Sequence, residues 1–191
     1  PQLMDNLGYL VVCVPEEKAA KAMVVTHSGS PNERISVTTD EKHQIVAFVV
    51  DCGDADEVAA QVKLISERHY GGKSIVIQSI LSTHKHHDHT AGNKGLLSHE
   101  SGIGESIKTV FGGAVEKVPH CNFPVVNGEM LPLPRYGDNE MGAIAQVEVI
   151  ATPAHTRGSV CYALRPAPGL ESTSSGLAFL FTGDTFFCAG G

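Results

Sequence analysis

Residues 74–82, rich in Ile, Val and Leu, run without a break into Thr83-His84-Lys85-His86-His87-Asp88-His89. The apolar stretch has the pattern of a strand buried on both faces, so the histidines stand where the chain leaves a sheet. In extended chain, residues two apart face the same side, which lets His84 and His86 converge on one ion. If the chain then turns, Asp88 and His89 face a second ion beside the first. Imidazole and carboxylate together suit zinc and other divalent transition metals. The bland alternative is a solvated histidine-rich loop that binds metal adventitiously, since short metal motifs give false positives.

Two further segments argue for a built site. Thr152-Pro153-Ala154-His155-Thr156-Arg157-Gly158 follows a strand expected over residues 146–151, and Phe181-Thr182-Gly183-Asp184-Thr185 follows one expected over 177–182. Strand ends are where α/β proteins place their sites. Alone, His155 reads as a structural or surface residue, and Asp184 beside a glycine as a turn residue. Beside the central cluster, both read as ligands.

The remaining pattern frames these segments. Strands are expected over residues 9–14, 22–26, 45–50, 108–111 and 160–164, and a helix over 92–99. A longer helix is expected over residues 55–70, opened by Asp54 with Glu57 three positions on and stopped at Gly71-Gly72. Residues 27–42 and 166–176 read as loops, and 112–135 as a Pro- and Gly-interrupted segment of little periodicity. Strands alternating with helices, then mostly strands, indicate one α/β layered domain across the 191 residues. No apolar stretch reaches the ~18–20 residues of a membrane span. Fourteen Lys and Arg against 21 acids leave a net charge of −7 without a basic run, which disfavours a nucleic-acid partner. The five cysteines lack CxxC spacing and number an odd count, so neither a disulfide framework nor a thiolate zinc site is indicated, and a cytoplasmic setting is expected.

With these residues in view, the chain resembles the glyoxalase II (hydroxyacylglutathione hydrolase) branch of the metallo-β-lactamase-fold superfamily. The resemblance rests on Met4-Asp5-Asn6-Leu7-Gly8-Tyr9, Val49-Val50-Asp51, the cluster continuing into Thr90-Ala91-Gly92-Asn93, the segment from Ala151 to Gly158, and Phe181 to Phe186 followed by Ala189-Gly190-Gly191. It implies an αββα sandwich of two mixed β-sheets flanked by helices. It also implies a first metal on His84, His86 and His155, a second on Asp88 and His89, and Asp184 bridging them. Two divalent ions are expected, zinc by default, with iron or manganese as alternatives.

The activity implied is hydrolysis of S-D-lactoylglutathione to D-lactate and glutathione by a metal-bound hydroxide, as in methylglyoxal detoxification, with Asp88 as the catalytic residue orienting the nucleophile. The expected partner is thus a small glutathione thioester, with no nucleic acid and no membrane. In the family a further histidine ligand and a helical substrate-binding region lie beyond the position where this sequence stops, so the fold's C-terminal end is expected to be missing. Asp51 matches a family aspartate that supports a ligand histidine, with a turn role as the alternative. His87 is expected to point away, and Cys188 to pack. No function is assigned to His27, His43, His69, His99 or His120.

Two departures mark a divergent member. Ser159 stands where the branch often has His, although the wider superfamily also uses Ser, and residues 26–44 form a longer polar excursion than the family's usual hairpin. One rival reading is a mononuclear-iron persulfide dioxygenase of the same fold, using positions like His84, His155 and Asp184. Another is a non-catalytic degenerate domain, because fold does not dictate function.

Overall fold

A computed structural model of the chain describes residues 8–15, 20–26, 45–133, 145–166 and 179–186. Among these residues, ten strands form two sheets. The first sheet has the order β2-β1-β3-β4-β5-β6 and comprises β1 (Tyr9–Pro15), β2 (Ala20–Thr26), β3 (Ile45–Val50), β4 (Ile75–Leu81), β5 (Thr109–Gly113) and β6 (Phe123–Val125). The second runs β10-β9-β8-β7, from β7 (Met130–Pro132), β8 (Ala145–Ala151), β9 (Val160–Pro166) and β10 (Phe179–Phe181). The first sheet is mixed: β1 is antiparallel to β2 and β3, whereas β3 through β6 run parallel. Every described pairing in the second sheet is antiparallel.

Two apolar layers result. Val11, Phe48, Val50 and Leu81 of the first sheet pack against Val147, Val149, Tyr162 and Leu164 of the second. The opposite face of the first sheet, through Val12, Val49, Ile77 and Ile80, is covered by α1 (Ala55–His69) and α3 (Gly92–Leu97). All six residues of β3 are buried, as a strand between two layers requires. On α1, Val58, Val62 and Ile65 repeat at helical spacing and form the buried stripe. The Asp54 side chain caps this helix by accepting from the Glu57 amide at 3.0 Å. Among the described residues, no helix covers the outer face of the second sheet, so helix, sheet and sheet are the layers seen.

The expected strands and helices are present with ends shifted by one or two residues. The segment 112–135 differs from expectation, because it contains the three-residue strands β6 and β7. Each is the edge of its sheet, where a proline such as Pro124 is tolerated. The motif at residues 4–7, the loops at 27–42 and 167–176, Cys188 and the closing glycines lie outside the described residues. No described helix is long and apolar enough to cross a membrane.

Candidate metal centre

Four excursions from strand ends meet at one edge of the sandwich. The first follows β3 and consists of Asp51, whose φ of 53° turns the chain sharply. The second follows β4: Thr83, His84, Lys85 and His86 lead into α2 (His87–Thr90), a single turn that carries Asp88 and His89. The third is the β8–β9 loop with His155, and the fourth the 3₁₀ turn Gly183–Thr185 with Asp184. Gly183 has φ 47° and lies against Thr83 so closely that a Cβ there would overlap its side chain. Glycine therefore seats the Asp184 turn on the cluster.

His84, His86, His155 and Asp184 each offer one ligand atom, and these atoms all lie within 4.8 Å of one another. His86 Nδ1 is 3.1 Å from His84 Nε2 and 2.8 Å from His155 Nε2. Asp184 divides its carboxylate. Oδ2 lies 3.2 Å from His155 Nε2 and 3.9 Å from His84 Nε2, whereas Oδ1 lies 3.0 Å from His89 Nε2. Asp88 Oδ2 stands 3.5 Å from the same His89 nitrogen. All six expected residues are thus brought together in two neighbouring groups that share Asp184. His87 is exposed, at the first position of α2.

The tautomers are set from behind. Asp51 Oδ1 accepts the Thr83 amide at 2.7 Å, and Oδ2 accepts both the Thr83 hydroxyl at 2.8 Å and His89 Nδ1–H at 2.9 Å. With its only proton donated to Asp51, the Thr83 oxygen accepts from His84 Nδ1–H, 3.1 Å away. Both rings therefore present Nε2 inward, His84 as a neutral ring with its proton on Nδ1. Ring nitrogens facing carboxylate oxygens at such distances share a cation, a proton in the metal-free chain or a metal ion, and nitrogen with carboxylate oxygen is the donor set of a divalent transition metal. The cluster is suited to a divalent metal ion.

Burial reinforces this. His84 is 1% exposed, and burial with the neighbouring His89 depresses its pKa to about 4, so its ring is neutral and able to ligate at neutral pH. Burial also opposes the charged form of His89, but the Asp51 hydrogen bond and the nearby carboxylates outweigh it and raise its pKa. The role of Thr83 is not legible in the sequence, because its contribution depends on Asp51, 32 residues earlier. The partners of His99 are not legible either. In the fold His99 lies 3.1 Å from Asp56 and 2.8 Å from the Ser101 hydroxyl, on the helical side of the molecule.

The metallo-beta-lactamase superfamily model matches residues 46–170, which include every site residue except Asp184. The cytoplasmic hydroxyacylglutathione hydrolase of Arabidopsis thaliana is 33% identical over 144 residues, covering 75% of this chain and 45% of that protein. The hydroxyacylglutathione hydrolase of Nitrosomonas eutropha is 30% identical over 148 residues, covering 78% and 45% respectively. That of Shewanella halifaxensis is 32% identical over 143 residues, covering 75% and 43%. The chain spans a little under half the length of these curated relatives. The chain belongs to the metallo-beta-lactamase superfamily and within it is similar to the hydroxyacylglutathione hydrolase branch.

Proposed function

We propose that this chain is the catalytic domain of a metal-dependent thioester hydrolase that cleaves S-D-lactoylglutathione to D-lactate and glutathione. His84, His86 and His155 would hold one ion, Asp88 and His89 a second, and Asp184 would bridge them, with zinc the first metal to test. The observation that carries this reading is the division of the Asp184 carboxylate between His155 on one side and His89 on the other. The glutathione thioester comes from the curated relatives, all named for that activity. A cytoplasmic setting is supported by the absence of disulfide spacing and by the name of the Arabidopsis relative.

Paired divalent ions would polarise the thioester carbonyl and bring the pKa of water from ~15.7 toward ~7. The protein's part is positional. Asp51 and Thr83 hold His84 and His89 with Nε2 turned inward, so that ligand geometry needs no rearrangement when substrate arrives. Asp88, partly exposed and close to His89, would orient the attacking water through its carboxylate. His86 and His155 are exposed, so solvent reaches this part of the cluster.

The test is S-D-lactoylglutathione hydrolysis by zinc-loaded protein, followed by loss of the thioester. Turnover that disappears with a chelator and returns with zinc is the expected result. Metal uptake without turnover would favour a non-catalytic domain, and oxygen consumption with glutathione persulfide by an iron-loaded sample would favour the dioxygenase.

A further inference from the structure

One buried carboxylate near the centre lies outside the ligand set. Glu116 lies in the turn that follows β5, where its amide donates to the Gly113 carbonyl at 2.8 Å, and its side chain is 1% exposed. Oε1 accepts the Gly158 amide at 2.8 Å. Oε2 is buried and faces the Lys85 ammonium at 3.9 Å. Lys85 is the residue between His84 and His86, and Gly158 lies three residues after His155.

The surfaces around this carboxylate are fitted to it. A Cβ at Gly113 would overlap the Gly158 carbonyl, and one at Gly158 would overlap the Glu116 side chain. The two backbones approach this closely only because both positions are glycine. Burying a carboxylate for packing alone is unfavourable, since a desolvated charge is costly unless it is paired and hydrogen-bonded. Burial would raise the Glu116 carboxyl, but the Thr156 hydroxyl, the Gly158 amide and the Lys85 ammonium outweigh it and hold the group below the usual carboxylate range. The charge is therefore retained, and its contacts run to the two histidine-bearing segments.

We propose that Glu116 is a positioning residue whose carboxylate ties the Lys85 segment to the Gly158 segment, fixing His155 against His84 and His86 so that three imidazoles meet at one ion. This rests on the ligand assignment above. The Val160 amide donates to the Thr83 carbonyl at 2.9 Å and joins the two segments at their base, and Glu116 extends that tie toward His155 through Gly158 and toward His84 and His86 through Lys85.

The experiment compares the parent chain with Glu116→Ala and Glu116→Gln in two measurements. Hydrogen exchange on the metal-free proteins reports the Gly158 amide directly. Cobalt(II) titration, read by the visible d–d absorption, reports both affinity and ligand geometry. Loss of Gly158 protection in Glu116→Ala, cobalt binding weakened ~10- to 100-fold and an altered d–d spectrum are expected, as for removal of a group that orients a metal ligand. Glu116→Gln keeps an oxygen for the Gly158 amide but loses the charge facing Lys85. It is expected to fold, to retain amide protection and to bind cobalt with intermediate affinity. A folded variant with parental cobalt affinity and spectrum overturns the role of Glu116 while the ligand assignment stands. A parent chain that takes up no cobalt overturns the ligand assignment, and the role of Glu116 with it.

Discussion

Asp51 accepts the Nδ1–H of His89 at 2.9 Å across 38 residues of sequence, and both groups are almost completely buried. The same carboxylate takes the amide and hydroxyl of Thr83. Three donors that would otherwise be stranded are satisfied by one side chain, which also fixes which face of His89 looks into the site. Asp51→Ala removes all of this and places alanine at positive φ. Since each unsatisfied buried donor costs about 1–3 kcal/mol, a loss of at least about 3 kcal/mol is expected in urea denaturation. Asp51→Asn keeps the acceptor for Thr83 and the tolerance of positive φ, and should recover part of that loss while still weakening metal binding.

The Asp184 carboxylate joins the two halves of the centre. Asp184→Ala and His86→Ala are each expected to abolish tight metal binding with little change in the circular dichroism of the metal-free protein. Metal content after exhaustive dialysis is the readout. Unchanged stoichiometry in either variant refutes the ligand assignment.

Gly183→Ala tests the seat of that turn. A methyl group would meet Thr83 at a backbone angle that L residues rarely adopt, so overpacking and strain act together. A loss of about 2–4 kcal/mol is expected, with zinc affinity falling as Asp184 is displaced. Calorimetric melting of the metal-free chain and a zinc titration measure the two effects separately.

Away from the metal centre, Tyr162 is fully buried between the sheets and its hydroxyl donates to the Ser82 carbonyl at 3.0 Å, one residue before the histidine motif. Tyr162→Phe keeps the packing and removes the bond. A cost of about 1–3 kcal/mol is expected from chemical denaturation, because the carbonyl is left buried and unpaired.

The pH dependence of His84 has a definite sign. Its pKa in the folded, metal-free chain lies near 4, below the ordinary 6.5, so the unfolded chain binds its proton first. The His84 contribution is intact above pH 6.5 and is lost as pH falls from there toward about 4. A proton titration of the histidine ring resonances should show His84 still neutral at pH 5, when the ring of an exposed histidine is charged. A His84 midpoint near 6.5 contradicts the buried, neutral ring described here.

Much of this was legible in the sequence because the informative features are local. The strand before the cluster, the alternation that aims His84 and His86 together, and the Asp54 cap of α1 each depend on spacing over a few residues. His155 and Asp184 were found because each sits just past a strand. β6 and β7 were missed for a physical reason: three-residue edge strands among Pro and Gly carry too few positions to show a period. The Thr83 relay, the His99–Asp56 contact and the Glu116 tie were also missed, because each exists only once residues 32 to 43 apart are folded together. No spacing rule encodes them.

The most direct test of the central claim is zinc stoichiometry by calorimetric titration of the metal-free chain, run beside the Asp184→Ala variant. Two zinc ions per parent chain, with tight binding lost in the variant, is the result expected of a carboxylate shared between two neighbouring sites. A parent that binds no zinc, or a variant that binds as the parent does, contradicts it.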